Sequence, residues 1–373
     1  MTDRRTADAP PPFEPDWVSV PGETIEDLLE ERGWTQAELA DRTGFTRKHV
    51  NDLVKGRASI TADAALRLEA IFGAPADFWL RREALYREAL ERRRRYDALR
   101  RDADWLKELP LRDMVKLGWL KRVSHRGQQV AKALDFFGVA SVEAWRRHYE
   151  APLVAFRASQ KLEKKMGAVA AWLRKGELEA TAIPCAPYDK GGFKGALSQL
   201  RSLTNESDPG TFRPRLVELC AQHGVAVVFV PAPAGCPASG ASRWLSAEKA
   251  MLILSLRHKT NDHLWFTFFH EAAHILLHSK KMQFVDLEGS LSNDQEEEAD
   301  RFARNGLIPS AQALRLQEMN ATGKVSKAAV SRFASEVGIA PGIVVGRMQK
   351  EGWLPWTHLN GLKVRYQWAS EDR

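Results

Sequence analysis

The run WFTFFHEAAHILLH sets His270, Glu271 and His274 within five positions of one another. On a helix, His270 and His274 are i and i+4, so their imidazoles leave one face about 6 Å apart and can share one metal ion. Imidazole ligands suit zinc. Glu271 is then placed to take a proton from water at that ion, which is general-base chemistry for cutting a peptide bond. Apolar residues flank the motif on both sides, as a buried helix beside a strand requires. Two blander readings compete with this one. In the first, the helix is buried and its histidines are satisfied by hydrogen bonds. In the second, the metal site no longer cuts peptides.

Zinc needs a third protein ligand. Glu296, Glu297, Glu298 and Asp300 cluster downstream. We expect Glu296, with Glu298 its rival. Glu296 and Asp300 are i and i+4 on one face, and Ala299 and Ala303 leave room for close approach. Asp300 can accept the second ring N–H of a ligand histidine and so fix its tautomer. His278 also follows His274 by four positions but lies about 12 Å along the axis from His270, so it reads as a helix-end histidine. Arg257, His258, Arg301 and Tyr366 are candidate oxyanion stabilisers, each better explained as structural. The stretch SGASRWLS suits either an edge strand that pairs with an extended substrate or an ordinary interior strand.

A second constellation lies near the N-terminus, in GWTQAELADRTGFTRKHVNDLVKGRASIT. Thr35 and Glu38 form a capping box opening a helix over 36–42. Gly44 supplies a tight turn, and Thr46 caps a second helix over 47–55. Leu39, Ala40, Val50 and Leu53 give two short crossed helices their contacts. The exposed face of the second helix offers Arg47, Lys48 and Asn51, with Thr46 at its start, to base edges or phosphates of double-stranded DNA. Gln36, at the other helix's N-terminus, can reach the backbone. The alternative is a helical hairpin with a solvated basic face.

These sites need elements to hold them. Residues 1–20 read as a disordered Pro-rich leader, 21–104 as an all-α DNA-binding domain, 105–221 as a helical middle without a chemical motif, and 222–373 as the metal-binding domain. The middle is read as a spacer or a substrate-facing layer. The β-rich runs 224–233, 239–246 and 250–257 predict one small sheet. A helix from about 262 then carries HEAAH, and another over 294–306 carries the acids. From residue 325 the chain turns helical again; this part resembles a helix–turn–helix but has little basic character, and we expect it to pack on the metal-binding domain. The Arg-rich stretch 87–101 also carries acids and reads as a solvated helix face. The expected fold class is multidomain, mainly α with a small β-sheet, the second domain being a zincin-like α+β fold.

The 373 residues include 28% charged and 44% hydrophobic positions with a net charge of +7, which suits a soluble protein with a polyanionic partner. Cys185, Cys220 and Cys236 are isolated and odd in number, which argues against a disulfide framework and for reduced thiols. The most apolar window contains His270, Glu271 and His274, so no membrane span is expected. A cytoplasmic location follows as an expectation.

HEAAHILLH followed by EEEADRFARNGLIP resembles the ImmA/IrrE family of zinc metallopeptidases, on Glu296, Ala299, Asp300, Phe302, Ala303 and Pro309 as well as the histidine motif. The resemblance implies zinc on His270, His274 and Glu296, with Glu271 catalytic, and a repressor or other regulator as substrate. The N-terminal segment resembles XRE/Cro-type domains, especially HigA-like antitoxins, and the resemblance extends through residues 59–86. That implies operator binding and a toxin partner. The leading expectation is a DNA-binding regulator carrying a zinc endopeptidase. The alternative is a non-catalytic antitoxin-like repressor. A homodimer is expected because such DNA readers bind paired half-sites.

Overall fold

The computed structural model describes residues 19–150, 166–280, 284–287, 294–323 and 325–368. The leader reading falls, up to residue 18, outside the described residues. The chain divides into two compact units, Met1–Arg101 with Arg126–Gln128, and Asp102–His125 with Gln129–Arg373.

The first unit contains helices α1 (Pro21–Arg32), α2 (Gln36–Thr43), α3 (Arg47–Val54), α4 (Ala62–Phe72) and α5 (Ala76–Leu99). Local chemistry sets the two central helices. The Thr35 hydroxyl accepts from the Glu38 N–H at 3.2 Å while the Thr35 N–H donates to the Glu38 carboxylate at 2.8 Å. Gly44 sits at φ 72°, a left-handed turn that a side chain resists, and Thr46 caps α3 by accepting from the His49 N–H. Leu39, Ala40, Val50 and Leu53 enter one core with Ile25, Leu68, Phe72 and Trp79.

The second unit opens with α6 (Leu111–Lys116), α7 (Arg126–Phe137, counted in this unit from Gln129) and α8 (Val142–Trp145), followed by α9 (Met166–Ala182), α10 (Lys190–Ser202) and α11 (Pro209–Ala221). Then come β1 (Val225–Phe229), β2 (Ala238–Ser246) and β3 (Lys249–Leu254), helix α12 (Asn261–Leu277), β4 (Phe284–Leu287), α13 (Asp294–Leu307), α14 (Ser310–Ala321), α15 (Lys327–Val337) and α16 (Pro341–Lys350). The sheet order is β1-β3-β2-β4, with β1 parallel to β3 and the other pairs antiparallel. The three expected strands are present. The fourth, β4, was not legible from the chain and forms an edge. SGASRWLS is therefore interior over Ser239–Ser242, which lies between β3 and β4, while Arg243–Ser246 pairs with β3 alone among the described residues.

Every position of β1 is buried because both faces of the sheet are covered. Ala250, Leu252 and Leu254 of β3 join the core shared with Trp265, Phe268 and Phe269 of α12. The alternate residue Ile253 instead reaches Gly176 of α9, and the Trp172 indole N–H of α9 donates to the Val230 carbonyl at 3.0 Å. The middle stretch is thus no spacer: α9 forms a packing layer on the sheet, and Phe193 of α10 and Phe212 of α11 belong to the main core.

Helix α12 is buried along nearly its whole length, the mark of a central helix. Its start is clipped to the C-terminal strand of chain: Asn261 N–H donates to the Val364 carbonyl at 2.9 Å, and Val364 N–H donates back to Asn261 Oδ1 at 3.1 Å. Lys363 and Asp262 form an ion pair at 2.6 Å, both almost fully buried, so loss of either partner would strand a charge in the interior. Helices α15 and α16 pack on the same unit, with Val330, Phe333, Val344 and Met348 in its core. Among the described residues no single helix is long and apolar enough to cross a membrane.

Candidate metal centre and nucleic-acid interface

His270, Glu271 and His274 project from α12 and are 5%, 0% and 2% exposed. Helix α13 crosses α12 along its small residues, Ala299 and Ala303 both fully buried. That approach brings Glu296 to the histidines. His270 Nε2 lies 3.0 Å from His274 Nε2 and 3.1 Å from Glu296 Oε2, and His274 Nε2 lies 3.6 Å from Glu296 Oε1. Asp300, one turn further along α13, holds His270 Nδ1 at 2.9 Å.

The donor set fits a cation. A carboxylate accepts only, so the His270 proton belongs on Nδ1, facing Asp300, and Nε2 turns a lone pair inward. Burial alone would raise the Glu296 carboxyl, but the His270 and His274 rings beside it outweigh burial and bring its pKa down to about 2, so Glu296 stands as a carboxylate. Burial, partly opposed by Glu296, pushes the His274 imidazole below its ordinary value and favours the neutral ring that a metal requires. Two ring nitrogens and one carboxylate therefore converge at the spacing of ligands around a tetrahedral zinc, whose bonds of about 2.0–2.1 Å put neighbouring ligand atoms about 3.3 Å apart. Among the described residues, His270, His274 and Glu296 form a group able to hold a metal.

The other acids separate clearly. Glu297 and Glu298 sit on exposed positions of α13. Glu298 Oε2 lies 3.2 Å from His278 Nε2, away from the triangle. His278 terminates α12 in an extended conformation, and this lets its ring fold back until its Nδ1 is 2.9 Å from His274 Nδ1. His278 is thus the helix-end histidine expected four positions after His274, and it lies outside the His270, His274 and Glu296 group.

Gly240 of β2 is a further residue that sequence did not single out. A Cβ there would come within 2.9 Å of Glu271 Cγ and Oε1 and 2.4 Å of Thr267 Cγ2. A glycine inside a strand is the one hint of such a close approach. Gly240→Ala is expected to displace Glu271, lowering any hydrolysis at least tenfold and stability by about 1–3 kcal/mol while zinc content is kept. Denaturation and metal analysis of that variant test this. An alanine variant equal to wild type in stability would show that the strand can yield.

The residues considered for oxyanion stabilisation are engaged elsewhere. Arg257 donates to the Cys236 carbonyl at 3.2 Å, His258 stacks on His263 with centroids 4.1 Å apart, and Tyr366 packs against Phe212. Arg301 lies on the exposed side of α13.

In the first unit, α3 turns Val50, Leu53 and Val54 into the core and leaves Thr46, Arg47 and Lys48 exposed, with Asn51 half-buried beside them. Gln36 is half-buried at the start of α2. The Thr46 hydroxyl is occupied as a cap, at 3.1 Å from the His49 N–H. Arg57, just beyond α3, pairs with Asp52 at 2.6 Å.

Residues 25–79 match the family described as Helix-turn-helix, and residues 220–348 match the IrrE N-terminal-like domain. An HTH-type transcriptional regulatory protein of Pyrococcus furiosus is 39% identical over 59 residues, covering 16% of this chain and 19% of that protein. A Pyrococcus abyssi counterpart is 38% identical over 56 residues, 15% of this chain and 18% of its own length. Virulence-associated protein I of Dichelobacter nodosus is 36% identical over 67 residues, 18% of this chain and 62% of that protein. A solved structure of an addiction module antidote protein of a HigA family from Coxiella burnetii is 29% identical, covers 22% of this chain and 90% of that one, and has a TM-score of 0.21. This chain thus spans under a fifth of the Pyrococcus relatives and 62% of the Dichelobacter one. It joins a helix-turn-helix region of the XRE type, residues 25–79, to a region of the ImmA/IrrE metallopeptidase type, residues 220–348.

Proposed function

We propose that this protein is a DNA-binding transcriptional regulator whose second unit is a zinc-dependent endopeptidase acting on a regulatory protein, in a stress, phage or toxin–antitoxin setting. The observation that carries this reading is the convergence of His270, His274 and Glu296 on one point, next to a buried Glu271 on the same helix. The same cluster favours zinc over a purely structural helix, because three acceptors crowded together are satisfied by a cation and poorly by one another.

His270, His274 and Glu296 would hold the ion, and Asp300 keeps the His270 lone pair directed at it. A zinc ion there supplies Lewis acidity and brings the pKa of water toward about 7. Glu271 takes the proton of the attacking water and returns it to the departing amine. Its full burial keeps bulk water from competing for that proton. An extended substrate would pair along the outer side of β4, which ends the sheet among the described residues, since β2 lies between β3 and β4 over Ala238–Ser242. In the first unit Arg47, Lys48 and Asn51 would read the operator, with Gln36 and Thr46 at helix starts contacting phosphates, and a homodimer would engage two half-sites.

Metal analysis of the purified protein tests the site. About one zinc per chain is expected in the wild type, and little in His270→Ala or Glu296→Ala. A folded wild type that takes up no zinc would leave a DNA-binding, partner-binding repressor, as an antitoxin-like function requires. Zinc retained by Glu296→Ala would remove that residue from the ligand set.

A further inference from the structure

The two histidines of the triangle are supported differently. His270 has Asp300 behind it. Behind His274 stands His278, whose side chain is only 4% exposed, and behind His278 stands Glu298, 48% exposed. The contacts form one line: His274 Nδ1 to His278 Nδ1 at 2.9 Å, then His278 Nε2 to Glu298 Oε2 at 3.2 Å.

We infer that His278 and Glu298 are positioning residues that fix the tautomer of His274. This rests on the zinc reading above. One proton lies between the two Nδ1 atoms, and which ring carries it decides what His274 can do. If His278 carried it in a neutral ring, His278 Nε2 would turn a lone pair toward the Glu298 carboxylate, setting acceptor against acceptor. The His274 proton would then sit on Nε2, inside the triangle, and block a metal. With Glu298 accepting from His278 Nε2–H, His278 Nδ1 becomes an acceptor. It takes the Nδ1–H of His274, and His274 Nε2 presents its lone pair to the ion. Each ligand histidine thus has its own acceptor: a carboxylate directly for His270, and a carboxylate acting through a second imidazole for His274. His278 follows His274 by four positions and ends α12 in an extended conformation, and there its Nδ1 meets that of His274.

The test is zinc affinity by competition with a chromophoric chelator, in the full chain, for His278→Phe, His278→Asn and Glu298→Ala. Far-UV circular dichroism of the metal-free proteins serves as the folding control. His278→Phe, which fills the space without an acceptor, is expected to weaken zinc about 10- to 100-fold. His278→Asn is expected to stay within about threefold of wild type, because its amide oxygen can accept where Nδ1 did. Glu298→Ala, at a half-exposed position, is expected to fall between them. Nitrogen-15 shifts of the zinc-loaded wild type should show His278 protonated on Nε2 alone. Wild-type affinity in His278→Phe, equal losses in the Phe and Asn variants, or a proton on His278 Nδ1 would each overturn the relay. A wild type that takes up no zinc would instead overturn the zinc reading itself, and the relay with it.

Discussion

Glu271→Gln should keep about one zinc per chain and lose peptide hydrolysis by about 100- to 10,000-fold, the usual contribution of a positioned general base. The amide keeps the size and most of the contacts of the carboxylate, and it is not a member of the ligand triangle, so metal content should not follow activity. The glutamate is fully buried, so a solvent carboxylate cannot replace it. New N-termini counted after adding wild type or variant to a source-cell lysate lacking this protein give the comparison. Equal cleavage by both proteins would show that Glu271 is not the base. Zinc-loaded wild type that generates no new termini would point to the non-catalytic reading.

The second large effect lies in the other unit. Arg47→Ala combined with Asn51→Ala should weaken binding to a selected operator by about 30- to 20,000-fold, since each base contact is worth about 1–3 kcal/mol and the two add. Arg47 is exposed and Asn51 half-buried, and neither belongs to the core that Val50, Leu53 and Val54 enter, so their truncation leaves that core intact. Affinity must be compared at one fixed salt concentration, because phosphate contacts by basic side chains carry a strong ionic-strength dependence. Zinc content should be unchanged. Operator affinity equal to wild type in the double variant would move the reading surface off α3.

The two expectations are independent because their residues lie in separate compact units. A variant set combining them therefore separates DNA reading from peptide hydrolysis. A variant deficient in one and intact in the other supports a chain with two functions, whereas a shared loss would indicate that folding had failed.

What the sequence determined by itself was whatever depends on local geometry. Helical periodicity alone set His270 and His274 on one face and Glu296 on the same face as Asp300. The capping box at Thr35 and Glu38, the turn at Gly44 and the cap at Thr46 each involve residues within four positions, and all appear in the structure. The three β-rich runs were legible for the same reason, as short apolar stretches between turn residues. What only the tertiary structure decided were distances between elements. Periodicity places Glu296 and Glu298 on different faces of α13, but it does not say which face meets α12. Packing decides that, because the α12–α13 crossing runs over Ala299 and Ala303, and only that face can come close. The four-residue spacing put His278 on the face of His274, but its contact with Glu298 depends on how α13 packs against the end of α12. β2 became interior over Ala238–Ser242 because a fourth strand of four residues pairs beside it, and Gly240 came up against Glu271 because α12 packs on β2. The middle helices carry no motif, yet their apolar faces could only be assigned a partner once the sheet existed to receive them.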